Sequence, residues 1–231
     1  MSVRGTEEKY RGKFLKFKEV QWSNGRGFSG VWECVERTTT KAALDAVECI
    51  AFFHSPGHLH PELILVEQFR PAIARSCIEF PAGLVDGFES AETCGLRELE
   101  EETGYSGEIM SVNSAPARAL RNLTQLSFAH ASDLVSGKEI FVAIRVDGSL
   151  ARNQNPRPHL EPSEDIITHR VPLDQLPARL QEWHAQGRVI DGKVHAVAMG
   201  LLLGAALEAP TTTAPAETPA PCQQQQQQPP Q

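Results

Sequence analysis

The sequence predicts an α/β fold: a mixed sheet sandwiched between helices, with a strand-rich N-terminal leader. Three observations lead there. With 231 residues, 41% of them hydrophobic, the chain can fill one sizeable core and still carry appendages. Short β-rich runs recur between Pro and Gly punctuation from residue 47 to residue 173. A few segments with helical periodicity are interspersed among those runs, the order expected of an α/β/α sandwich.

Residues 1–46 form the leader, with strand-like pieces "KFLKFKEVQW" and "GVWECVER". "VECIAFFH" (47–54) and "ELILVEQFR" (62–70) are strands, and "SPGHLHP" between them reads as a hairpin connection. "SCIEFPAG" (76–83) is a shorter strand stopped by Pro81 and Gly83. The segment 90–104 is a helix. Ser90 caps its start, Leu96, Leu99 and Thr103 make one stripe, and Gly104 takes the position after its end. Strands are expected at 107–115, 139–146 and 164–173, and helices at 173–187 and 193–208. The final stretch, "APTTTAPAETPAPCQQQQQQPPQ", has almost no large apolar residue and is expected to be disordered. The chain thus divides into a leader (1–46), a main domain (47–207) and a tail (208–231).

Charge and composition remove several function classes. A net charge of −7 argues against binding a nucleic-acid polymer, which needs basic stripes. No apolar run is long enough to span a bilayer, and the start "MSVRGTEEKYRGKF" has no apolar signal-peptide centre. The cysteines at 34, 49, 77, 94 and 222 are scattered and odd in number, as expected of reduced thiols in cytoplasm or nucleus.

The helix at 90–104 carries a conflict. "GLVDGFESAETCGLRELEEETGY" (83–105) holds six acidic residues from Glu89 onward, and its one basic residue is Arg97. Glu98, Glu101 and Glu102 share a side of the helix, where like charges each cost about 0.2–0.5 kcal/mol, and they sit at the end where the helix dipole opposes them. Arg97 can pair with Glu101 four residues on, which leaves Glu98 and Glu102 unmatched. Either this is a solvated acidic face, or a hard divalent cation resolves the repulsion, as Mg²⁺ does when held by one or two carboxylates and substrate phosphates.

The spacing favours the cation. Gly83, Glu89 six residues later, Arg97-Glu98-Leu99, Glu101-Glu102, then Gly104 and an apolar residue match every fixed position of the Nudix signature. "ERTTTK", "VEQFRPA", "CIEFPAGLVD" and "RELEEETGY" extend the resemblance to roughly residues 10–205 and to the ADP-sugar (ADP-ribose) pyrophosphatase branch. The resemblance implies a Nudix-type α/β/α sandwich that hydrolyses the diphosphate of an ADP-sugar to AMP and a sugar 5-phosphate. It implies Mg²⁺, or Mn²⁺ in its place, held by Glu98 and Glu102 with the Ala82 carbonyl. Glu101 is a further or supporting carboxylate, Arg97 orients Glu101, and Glu89 supports the set. It also implies a homodimer.

Substrate-binding residues lie outside the box. Arg70 in "QFRPA" and Arg37 in "ERTTT" are either phosphate clamps or ordinary surface ion pairs, and the resemblance favours clamps. The leader holds Phe14, Phe17, Trp22, Phe28 and Trp32, although aromatics are only 6% of the chain. In the resembled branch two leader aromatics sandwich adenine across the dimer. Phe14 and Trp32 take those positions, with Glu33 beside them, and Phe14 stands where Trp is usual. The other reading packs these rings into the dimer core. The water-activating base is expected in "HLEPSEDII", where Glu161, Glu164 and Asp165 are available and Glu164 is chosen. His58 and His60 in "GHLHP" read as a solvated loop. The branch's Pro-Gly turn beyond the box is absent from "ARALRNLTQ", and the following segment is long, so the preferred sugar stays open. Hydrolysis of another nucleoside diphosphate derivative, or nucleotide sensing without catalysis, are the competing functions; the intact acids of the box argue against the sensor.

Overall fold

The computed structural model describes residues 1–39, 44–110, 128–129 and 137–208. The expected tail disorder, Cys222, the "ARALRNLTQ" stretch and most of the strand expected at 107–115 lie outside those residues.

The leader is a three-stranded antiparallel sheet: β1 (Ser2–Arg11), β2 (Leu15–Ser23) and β3 (Ser29–Arg37). The sequence reading had found β2 and β3 but not β1. Its residues, "SVRGTEEKYR", are polar and nearly all exposed, so they lack the apolar alternation that marks a strand. β1 is held instead by its ladder to β2, from Ser2↔Ser23 to Arg11↔Lys16. Asn24 turns the β2–β3 hairpin, its side-chain oxygen accepting from the backbone of Arg26 (2.9 Å) and Phe28 (3.0 Å).

The main sheet has nine strands among the described residues. They are β4 (Ala46–His54), β5 (Glu62–Arg70), β6 (Arg75–Glu79), β7 (Ala82–Leu84), β8 (Glu108–Ile109), β9 (Phe128–Ala129), β10 (Lys138–Asp147), β11 (Ile166–Pro172) and β12 (Val189–Ile190). β10 runs parallel to β4 and β12 parallel to β6; the other pairs are antiparallel, so the sheet is mixed. The run expected as one strand at 76–83 is two, β6 and β7, broken at Phe80–Pro81. Pro81 lacks the N–H a continued ladder needs, and β7 pairs with β4 instead of β5.

Helix α1 (Ala91–Thr103) covers one face and α3 (Leu176–Ala185) with α4 (Gly192–Glu208) the other; α2 (Ala151–Gln154) is a single turn. Strand alternation feeds both sides. Val47, Cys49, Ala51 and Phe53 of β4 pack with Leu99 and Tyr105. Ile50 and Phe52 join Leu63, Leu65, Trp183 and Val194 on the opposite face. The result is the expected α/β/α sandwich. Each fully buried large apolar side chain contributes about 1.5–3 kcal/mol. The buried tryptophan, Trp183, also lies 4.9 Å from the His169 ring.

Candidate active site

α1 begins and ends as its sequence requires. Ser90 Oγ accepts from the Thr93 amide at 3.2 Å, and Gly104 closes the helix in the left-handed conformation at φ 72°. No side chain fits at Gly104, because a Cβ would stand 2.3 Å from the Arg157 backbone nitrogen. The segment after α2 therefore lies directly against the helix end, where the His159 amide donates to the Glu101 carbonyl at 2.7 Å.

Arg97 organises the exposed side of the helix. Its Nη1 donates to Glu98 (2.7 Å) and Glu101 (2.9 Å), and its Nη2 to Glu89 (2.7 Å) and the Leu84 carbonyl (3.1 Å). The Glu101 pairing is the expected one. Glu98, expected to be unmatched, is held by the same guanidinium, so one positive charge serves three carboxylates. That arrangement raises the Arg97 pKa, led by its hydrogen bonds to Glu89, and lowers that of Glu89.

Glu98 itself fills the space left by the missing side chain of Gly83: a Cβ there would fall 1.9 Å from the Glu98 carboxyl. Glu102 is buried at 6% exposure and accepts from the Ala82 amide at 3.1 Å. Burial pushes its pKa up to about 8, with Glu98 and Glu164 adding to the rise and Arg70 and the Ala82 amide opposing it. The Glu98 pKa is raised too, first by burial and then by Glu101 and Glu164, against Arg97. These two acids form a crowded, desolvated pair with too little positive charge beside them.

Two groups from the sheet approach that pair. Arg70 ends β5, and its fork is filled by Glu79: Nε donates at 2.8 Å and Nη2 bonds the second oxygen. Glu79 is the residue sequence reading missed, since nine positions across a bend carry no periodic signal. Glu164 lies two residues before β11. β11 pairs Ile166 with Gln68 of β5, so continuing that register brings Glu164 level with Arg70. Its Oε2 accepts from the Glu161 amide at 2.8 Å. Arg97, Glu98, Glu101, Glu102, Ala82, Arg70 and Glu164 are thus gathered along the middle and C-terminal half of α1. Phe14, Trp32, Glu33 and Arg37 are not in that group: Trp32, Glu33 and Arg37 lie on the leader sheet and Phe14 in the bend just before β2, and that sheet shares no ladder with the main sheet among the described residues. His58 and His60 are exposed in the β4–β5 loop.

The donor set is all oxygen, which suits Mg²⁺ or Mn²⁺. Among the described residues no group of three or more His, Cys, Asp or Glu side chains is placed to hold a metal ion by itself. Glu98 and Glu102 still fit one, because a hard cation needs only one or two protein carboxylates when phosphates complete its shell.

The decisive comparison is with the NUDIX domain, whose profile matches residues 45–191. This chain belongs to the Nudix family. Two relatives match over a longer stretch than that profile. The ADP-sugar pyrophosphatase of Mus musculus is 34% identical over 194 residues, 82% of this chain and 82% of its own. The ADP-ribose pyrophosphatase of Saccharomyces cerevisiae is 32% identical over 196 residues, 83% of this chain and 78% of its own. A solved structure described as an ADP compounds hydrolase superposes with a TM-score of 0.58. It covers 89% of this chain and 94% of its own at 16% identity, which speaks to the fold alone.

Proposed function

We propose that this Nudix protein hydrolyses the diphosphate bond of ADP-ribose or a related ADP-sugar, releasing AMP and a sugar 5-phosphate. The observation that carries the reading is the pair Glu98 and Glu102: one carboxylate half-buried in the gap at Gly83, the other fully buried beside it, with a raised pKa on each. The relatives described as ADP-sugar and ADP-ribose pyrophosphatases support the substrate class.

Glu98 and Glu102 would hold Mg²⁺ or Mn²⁺, with Glu101 and the Ala82 backbone beside them. A bound cation supplies positive charge against the diphosphate oxygens. Arg97 keeps Glu98 and Glu101 in place. Arg70 presents its remaining N–H donors to a phosphate while Glu79 fixes its plane. Glu164 accepts the proton of the attacking water as its oxygen bonds to phosphorus and the bridging P–O bond breaks.

The leader binds the far end of the substrate. Thr38 bonds the Phe14 carbonyl at 2.9 Å and β2 pairs Leu15 with Arg37, so Phe14 and Arg37 share one end of the leader sheet. Trp32 pairs with Val20, six residues from Phe14 and so about 20 Å along the strand. Stacked rings have centroids about 4.5–7 Å apart. One leader cannot close both rings on one base, and a homodimer supplies the second ring. Phe14 and Trp32 are 59% and 49% exposed, as such a role requires.

The test is a panel of nucleoside diphosphate derivatives, with and without Mg²⁺, followed by separation of products. ADP-ribose should give AMP and ribose 5-phosphate only with the cation. Preferential cleavage of a substrate without an ADP half would replace this reading.

A further inference from the structure

Helix α4 starts inside the sandwich and ends outside it. Val194 and Ala198 are buried against the core that contains Trp183. From Met199 onward the described residues are exposed, Leu207 to 85%. This outer half, "MGLLLGAALE", is apolar on every side, and a helix of that kind is normally covered. Left alone it is shorter than the length at which isolated helices hold in water, about 12–15 residues. Opposite the buried face, Ala196, Gly200, Leu203 and Leu207 recur at spacings of four, three and four, the pattern of a helix-pairing seam, and all are exposed. Neither Gly200 nor Gly204 has any atom within 4 Å of where a Cβ would stand, so a second helix can approach closely.

We infer that this seam is an interface between two copies of the chain, with α4 of one crossing α4 of the other antiparallel. A two-fold contact is self-complementary, so one exposed seam supplies both sides. Charge sets the direction. The C-terminal end of α4 carries the negative end of the helix dipole, holds Glu208 in the sequence and has no basic residue in its last turn. A parallel pair would bring two such ends together. An antiparallel pair sets each beside the N-terminal end of the partner's α4, the positive end of its dipole.

Antiparallel pairing about the middle of the seam places residue 207 opposite residue 196 of the second copy. Within one helix those positions are eleven residues apart, about 16 Å, too far for a disulfide, which needs Cα atoms within about 7 Å. The experiment uses the full chain carrying Ala196→Cys and Leu207→Cys, with Cys34→Ser and Cys222→Ser to remove competing thiols. Mild oxidation should give a disulfide-linked pair of chains on a non-reducing gel, whatever contact the leader makes. Each single-cysteine variant should stay unlinked, and adding Leu203→Glu should abolish the link. A double variant that stays unlinked, or singles that link equally well, would overturn the inference. Linkage that appears only after removal of residues 209–231 would also overturn it, by assigning the seam to the chain's own tail.

Discussion

At Gly83 the chain gives up a side chain so that the Glu98 carboxyl can occupy the space. The clash a Cβ would create involves the far end of a flexible side chain, not backbone. Gly83→Ala should therefore displace Glu98 and leave the fold standing. The expected result is a fall in turnover of about a hundredfold with little change in melting temperature, read by steady-state kinetics and calorimetry. Equal losses of both would show that Gly83 serves folding and not Glu98. The signature made Gly83, Arg97, Glu98, Glu101 and Glu102 legible, because fixed spacing on a helix translates directly into a shared face. It did not reveal that Arg97 holds Glu89, Glu98 and Glu101 at once, since Glu89 lies in the loop before α1 and its approach depends on how that loop folds. Glu79 was hidden for the same reason: its contact with Arg70 is made across a bend between two strands.

At the scale of elements, the three longer helices and the central strands followed from periodicity, whereas β1 and the single turn α2 did not. β1 is a polar strand whose reason to exist is the ladder to β2, and a long-range partner leaves no local pattern. The break between β6 and β7 turned on one proline. The sheet also carries a buried charge with a measurable consequence. Glu48 on β4 is bonded by Lys193 of α4 at 2.5 Å, with Glu139 of β10 3.3 Å from the same nitrogen. Burial pushes Glu48 up to about 7 in spite of Lys193. Burial opposes the Lys193 charge as well, but attraction to Glu48, Asp191 and Glu139 outweighs it and raises that pKa. Glu48 therefore binds a proton more tightly folded than unfolded. Its contribution to stability is complete below the ordinary carboxylate range and is lost as pH rises through about 7. The melting temperature of metal-free protein should fall between about pH 5 and pH 9, and Glu48→Gln should remove part of that fall. Superimposable pH profiles for the two proteins would contradict the assignment.

At the scale of the whole molecule, the leader separates this chain from a bare Nudix domain, whose profile begins only at residue 45. If Trp32 stacks on adenine, its binding energy is felt alike in ground and transition states, far from the scissile bond. Trp32→Ala should raise KM for ADP-ribose about five- to a hundredfold, the worth of one stack of roughly 1–3 kcal/mol, with kcat little changed. An unchanged KM in a variant that still sediments as wild type would make Trp32 a packing residue. The sequence could name these rings but not their separation, which needed the β2–β3 register. The central claim is that Glu98 and Glu102 direct metal-dependent cleavage of an ADP-sugar diphosphate. It is tested most directly by quantifying AMP and ribose 5-phosphate formed from ADP-ribose and Mg²⁺ by the wild type, Glu98→Gln and Glu102→Gln. The account predicts equal amounts of the two products from the wild type. It also predicts a loss of roughly a hundredfold or more in each variant, with the fold retained. Wild-type rates in either folded variant at saturating Mg²⁺, or a wild type that forms no AMP, would contradict it.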